Sequence, residues 1–398
     1  MSADEQWAQD GRAPTAAPGR PAAPGREFVL REALDEMVRR GASDLHLKAG
    51  RAPVLRVHGE LYDTALPTLR PDDLKRCADQ LLNARQKEAF AERKEIDFAI
   101  GVQGLGRFRT NIFQQRGTLG FSFRAIPFEV PSLEELNLPA VVQDVATSPR
   151  GMVLVTGVTG SGKSTTLASM IRYLAERKAV NVVTVEDPIE FLHRDAKSIV
   201  SQREVGTDTH SFHDALRYVL RQDPDVILLG EIRDRASMET VLKAADTGHL
   251  VLSTLHTTDA AQTIGRIISF FPPHQHSEIR GMLAVALKAV ISLRLIPRAD
   301  GRGRVPAAEV LVNTAAMSDR IRAPDQMHTI PDLIAEGRTQ YGMQTFDQSL
   351  MDLYQRGLIS FEWAMHYASN PSEFSLRVSG VESNADAGWK GAGAERER

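Results

Sequence analysis

The chain has one cysteine, Cys77, in 398 residues. That excludes a disulfide framework and any cysteine-based metal site, and it fits a reducing compartment. Cys77 falls between Leu74 and Leu81 at helical spacing, so it reads as core filler. Charge of one sign is also lacking. The net charge is −3, and no basic stripe interleaved with aromatics runs along the chain, so the composition speaks against nucleic acid as a partner. No apolar run reaches the ~18 residues that a membrane span needs. The nearest, Met282 to Ile291, is broken by Lys288. The N-terminal residues are acidic and carry no apolar segment, which is not the pattern of a signal peptide. Contact with a membrane is then expected to go through a partner.

What is present suffices for two domains. Hydrophobic residues make up 42% of the chain, enough for real cores. Residues 1–26 are rich in Ala, Pro and Gly, and residues 379–398 are polar and glycine-bearing; both read as disordered tails. Residues 27–126 read as a small mixed α/β domain. Leu30, Ala33, Leu34 and Met37 mark one face of a helix. Pro53 to His58 and the turn at Gly59 suggest a hairpin, and a helical stretch runs from Pro71 to Lys94. Strands are expected over Ile96–Ile100, Arg107–Gln114 and Leu119–Ile126. On the second of these, Phe108, Thr110 and Ile112 share one face while Arg107 and Arg109 share the other.

Residues 127–139 contain three prolines and read as a linker. From Ala140 onward apolar strands alternate with amphipathic helices. Strands are expected near 152–157, 181–186, 225–231 and 249–255, and their continuous apolar character predicts a parallel sheet covered on both faces. Residues 140–312 form this second core, and 313–378 a mainly helical C-terminal region.

The most informative segment is Gly157-Val158-Thr159-Gly160-Ser161-Gly162-Lys163-Ser164, with Thr165 following. It comes after the apolar run Met152 to Thr156 and opens a helix that runs to Lys178. Glycines at 157, 160 and 162 let backbone N–H groups curl around anionic oxygens. The helix start adds its positive dipole end. Lys163 is placed for the β and γ phosphates, and the Ser164 hydroxyl for Mg²⁺. The pattern predicts a bound nucleoside triphosphate.

Three further groups bear on chemistry. Asp225 to Glu231 is a hydrophobic strand ending in an acid, and Glu231 is a candidate to orient or deprotonate an attacking water. Glu186, Asp187 and Glu190 crowd the end of another strand; such oxygen donors suit Mg²⁺ and its water shell, or form an ordinary solvated turn. His249 and His256 flank the strand Leu250 to Leu255, where one of them is a candidate to sense the γ-phosphate. No other His or Cys lies at metal-ligand spacing near them. Arg107, Arg109 and Arg124 of the first domain are candidates for arginines supplied to a phosphate from outside the nucleotide domain.

Taken together, these residues resemble a known family. The set comprises the phosphate loop, Val-Glu-Asp-Pro-Ile-Glu-Phe (185–191), Gln-Arg-Glu-Val-Gly (202–206), Gly-Glu-Ile-Arg-Asp (230–234) and Thr-Gly-His with Leu-His-Thr-Thr-Asp-Ala (247–260). It is similar to the secretion-type hexameric ATPases of type II secretion and type IV pili. Ser-Asp-Leu-His (43–46) and Gly-Arg-Phe-Arg (106–109) resemble that family's N-terminal domain. Gly342 to Leu350 resembles its twitching-motility retraction branch, the PilT/PilU type. The four-cysteine zinc element usual in extension and secretion members is impossible here. The stretch Ala316 to Ala323 matches the branch only loosely.

The resemblance implies a PAS-like N-terminal domain joined to a RecA-like C-terminal domain. It implies a homohexameric motor that hydrolyses ATP with Mg²⁺, bound between the domains, to retract a pilus. Glu231 and Glu186 become catalytic carboxylates, and both face Mg²⁺ with Ser164, Glu231 through water. His249 and His256 become a paired His element, and Arg109 and Arg124 the arginines on the nucleotide. It further implies a cytoplasmic protein held peripherally at the inner membrane by a pilus platform protein, with a paralogous retraction ATPase as a possible companion. Two other readings stay open: a nucleotide-gated accessory subunit with weak turnover, and a DNA-translocating motor.

Overall fold

The computed structural model describes residues 27–57, 59–127 and 129–379. Both tails therefore lie outside the described residues. The chain divides into two units, Met1–Pro127 and Phe128–Arg398.

In the first unit, β1 (Asp44–Lys48), β2 (Val54–Val57), β3 (Glu60–Asp63), β4 (Glu95–Val102), β5 (Gly106–Gln115) and β6 (Thr118–Ile126) form one antiparallel sheet. Its order is β3-β2-β1-β6-β5-β4. The alternation on β5 sorts the faces: Phe108, Thr110 and Ile112 are buried, whereas Arg109 faces solvent. Helices Leu30–Arg39 and Pro71–Leu81 bury Leu34, Met37, Leu74 and Cys77 in the same core. The helical stretch expected from Pro71 to Lys94 is two helices. The first ends at Leu81 with Leu82 as its C-cap, and Asn83 caps the second, Ala84–Arg93, by accepting from the Gln86 N–H.

The second unit is built on a seven-stranded sheet: β7 (Gly151–Thr156), β8 (Asn181–Glu186), β9 (Ile199–Glu204), β10 (Val226–Leu229), β11 (Leu250–Leu255), β12 (Leu287–Pro297) and β13 (Arg304–Val312). The order is β13-β12-β7-β11-β10-β8-β9, parallel throughout except for the edge strand β13. Met152 and Leu154 of β7 pack into one apolar cluster, Val153 and Val155 into another. Both faces are thus covered, as the unbroken apolar strands predict. Helices Phe346–Gln355, Phe361–Tyr367 and Pro371–Val378 bury Phe346, Leu350 and Phe374 against Val305 and Ala307 of β13.

Two differences from the sequence expectation have physical causes. The stretch 127–139 is not free linker along its length. Val130 and Leu133 are buried, Leu133 within the second unit's core, and Arg172 donates to the Val130 carbonyl. Burying Leu133 alone contributes about 1.5–3 kcal/mol. The β12–β13 hairpin was not among the expected strands. The apolar run 282–291 is shared between helix His276–Ala286 and β12, which follows it without a breaking residue.

Candidate functional site

Strand register decides what meets at the sheet's carboxyl edge. Leu154, Ser253, Leu229 and Val185 stand level on β7, β11, β10 and β8. Two to three residues further along these strands come Gly157, His256, Glu231 and Asp187, with Glu186 just before. Four segments far apart in sequence therefore deliver their polar residues to one place, the usual position of a ligand on an open parallel sheet.

The loop after β7 is shaped by its glycines. Gly157 has a φ of 139°, and a Cβ there would lie 2.4 Å from Ser161 Oγ and 2.6 Å from the Leu293 carbonyl oxygen. Only glycine fits so close an approach. Gly162 leads into helix Lys163–Arg177, whose first N–H groups face the loop. The Lys163 ammonium donates to the carbonyls of Gly157 at 2.8 Å and Val158 at 3.0 Å. Burial pulls its pKa down, and the nearby charges of Glu190 and Glu231 oppose that. Ser161 Oγ is buried without a hydrogen-bond partner. A concave loop, a helix N-terminus, a held cation and an orphaned hydroxyl make a cradle for anionic oxygens.

This loop forms one wall of a cavity of about 410 Å³, whose lining includes Thr159, Ser164, Thr165, Glu186, Glu190, Glu231 and His256. Glu231 Oε1 accepts from Arg233, and His256 Nε2 stands 3.7 Å from Oε2. Glu186 Oε1 accepts from Thr184 Oγ1 at 2.6 Å and from Gln202 Nε2 at 3.2 Å. Desolvation pushes the Glu186 pKa up, and those two hydrogen bonds oppose it. His193, also on the lining, is pushed down to about 4 by burial and so is neutral at pH 7. Among the described residues no cluster of three or more His, Cys, Asp or Glu side chains is placed to hold a metal alone. Mg²⁺ fits such a site when phosphate oxygens complete its shell.

One expected residue is not here. His249 immediately precedes β11, and its carbonyl accepts from the Gly151 N–H at the start of β7. Its ring Nδ1 lies 3.0 Å from the Ala244 carbonyl oxygen. The six residues of β11 separate it from His256 by about 20 Å. The two histidines are thus at opposite edges of the sheet, and only His256 lines the cavity. Arg109 and Arg124 are cross-strand neighbours on β5 and β6 of the first unit. Arg124 Nε pairs with Asp44 at 2.8 Å and Arg109 Nε stands 4.0 Å from Asp97. Arg233 and Gln202, to which the motifs assign no role, meet Glu231 and Glu186 here. The signal for Arg233 was its position two residues after Glu231 in an extended segment.

A phosphate-gripping loop at the carboxyl edge of a parallel sheet, with an acid after the strand two places away, defines a nucleoside triphosphatase of the phosphate-loop class. Residues 127–370 match the family described as type II/IV secretion system protein. The type IV pilus retraction ATPase PilT of Pseudomonas aeruginosa is 45% identical over 87% of this chain and 99% of its own length. The type IV pilus ATPase PilU of the same organism is 42% identical over 88% and 91%. A crystal structure of the pilus retraction motor PilT with bound ADP has a TM-score of 0.80 at 42% identity, covering 87% of this chain and 99% of the other. The Legionella pneumophila ATPase DotB has 0.74 at 27% identity, covering 91% and 99%. The chain belongs to the type II/IV secretion system protein family, within its group of PilT/PilU-type ATPases, and it is a nucleotide-binding ATPase.

Proposed function

We propose that this chain is the ATP-hydrolysing motor of type IV pilus retraction, working as a homohexamer. The observation that carries the reading is the complete phosphate site in a chain aligned with PilT over 99% of PilT's length. In this mechanism the loop amides and Lys163 hold the β and γ phosphates. Glu231 orients the attacking water and takes its proton. His256, against the same carboxylate, reads the loss of the γ-phosphate. Ser164, with Glu186 and Glu231 through water, would hold Mg²⁺, which neutralises phosphate charge when bound. Arg109 and Arg124 supply further positive charge from the first unit, so that nucleotide draws the units together and hydrolysis releases them. The linker region near residue 127 is where that motion pivots.

No helix among the described residues is long and apolar enough to cross a membrane. In this reading the motor sits on the cytoplasmic side and reaches the inner membrane through a pilus platform protein. The tests are direct. Lys163→Ala is expected to abolish ATP turnover, and deletion of the gene to leave surface pili that assemble but do not retract. Wild-type turnover in the variant, or normal retraction in the deletion strain, would refute the proposal.

A second reading is an accessory paralogous subunit with weak turnover of its own. The near-equal identities to PilT and PilU, 45% and 42%, favour keeping it. The steady-state ATPase rate of the purified chain separates the two.

A further inference from the structure

The segment Gln-Arg-Glu-Val-Gly has no part in the mechanism above, yet its side chains shape the nucleotide cavity. Residues 187–193 follow β8 and form neither helix nor strand. Asp187, Glu190 and His193 of this loop line the cavity beside Glu186. A loop in that position has no ladder to satisfy its backbone or fix its course.

Two side chains of β9 take the ladder's place. Gln202 and Glu204 lie two residues apart, on one face of the strand. Gln202 Oε1 accepts from the His193 N–H at 2.8 Å, and its Nε2 donates to the Phe191 carbonyl at 2.9 Å. Glu204 Oε2 accepts from the Ile189 N–H at 3.2 Å. The backbone is thus hooked at residues 189, 191 and 193. The same Gln202 Nε2 also donates to Glu186 Oε1 at 3.2 Å, joining Thr184 on that oxygen.

We infer that Gln202 is a positioning residue for ATP hydrolysis: its single amide sets the course of loop 187–193 and the orientation of the Glu186 carboxylate. It touches no nucleotide itself. An amide is the group this needs, because one end must accept from an N–H while the other donates to a carboxylate and a carbonyl. A glutamate has the same length but turns the donor into an anion facing Glu186. A leucine fills similar volume and makes none of the three bonds. The inference rests on the ATPase reading and on Glu186 facing the metal.

The test uses the full-length protein with Gln202→Leu and Gln202→Glu, read by amide hydrogen exchange and by kinetics. In Gln202→Leu the His193 amide is expected to exchange about tenfold faster, with the amides of β7 and β11 unchanged. Its kcat is expected to fall about ten- to a hundredfold, the usual effect of removing a group that orients a metal-facing ligand. Affinity for a fluorescent ADP analogue in EDTA should stay within about threefold of wild type, while the tightening on adding Mg²⁺ shrinks. Gln202→Glu keeps the acceptor, so His193 exchange stays slow while kcat still falls. Wild-type exchange at His193 in Gln202→Leu would overturn the inference, as would wild-type kcat in Gln202→Glu. Should the leucine variant fail to fold, the glutamate variant decides by kcat alone. The exchange measurement needs no hydrolysis, so failure of the ATPase reading shows separately, as absent turnover in the wild-type protein.

Discussion

Gly157 and Gly160 look alike in the sequence, and the structure predicts that they fail differently when changed. Both have positive φ, 139° and 76°. At Gly160 a Cβ would meet nothing within 4 Å. Gly160→Ala therefore costs only backbone strain, about 1–2 kcal/mol. At Gly157 the Cβ would sit 2.6 Å from the Leu293 carbonyl oxygen, in addition to Ser161 Oγ. Ser161 can rotate. Leu293 cannot retreat, because it lies on β12, is 1% exposed, is paired with Ala308 of β13 and follows Ser292, which is paired with Thr156 of β7. The loop must move instead, and such overpacking costs about 1–3 kcal/mol more. That cost falls on the cradle's geometry, so Gly157→Ala is expected to bind nucleotide about 5- to 150-fold more weakly than Gly160→Ala. Titration of a fluorescent ADP analogue into wild type and both variants measures this, with thermal melts to confirm that all three are folded. Equal affinity in the two variants would show that the close approach to Leu293 does not shape the site.

Other expectations follow from the same geometry. Glu231→Gln is expected to lower turnover about 10²- to 10⁴-fold while ATP remains bound; rapid release of phosphate in a single-turnover assay would remove Glu231 from the mechanism. His256→Ala should lower kcat, whereas His249→Ala should lower Tm and leave kcat within about threefold, since His249 is tied to a helix end by the Ala244 carbonyl. Burial raises the Glu309 pKa from its ordinary 4.5 to about 7. The folded state then holds a proton that the unfolded state releases, so stability falls as pH rises from about 4.5 to about 7, by an amount on the order of 3 kcal/mol. Glu309→Gln should flatten that decline when Tm is measured at pH 5 and pH 7.5. The buried Cys77 thiol is pushed up to about 11, so a thiol reagent at pH 8 should label it only in denaturant.

The parts of this molecule that were legible in the sequence are those whose partners are local. The phosphate loop carries its own strand, turn and helix within one short stretch. Strands β7, β8, β10 and β11 announce themselves because each is apolar on both faces. Strand β9 is an edge strand with mostly polar, partly exposed residues, so it lacked that signal. Strand β12 was hidden because its apolar run begins inside a helix. Gln202 and Arg233 act through bonds to residues on other segments, and only strand register reveals which ones.

The histidine pair shows where a motif can be read past its physics. Both residues bracket one six-residue strand, and the family resemblance groups them as a pair. An extended strand of that length holds its two ends about 20 Å apart, and a phosphate site lies at one edge of a parallel sheet. Any parallel strand of this sheet can therefore offer the nucleotide of its own chain its carboxyl end alone. Once the phosphate loop fixes which edge is used, His256 falls at that edge and His249 at the opposite one. Glu231 and Glu186, each at the carboxyl end of its strand, fall on the cavity lining. It gives no position to Arg109 or Arg124, whose strands belong to a different sheet.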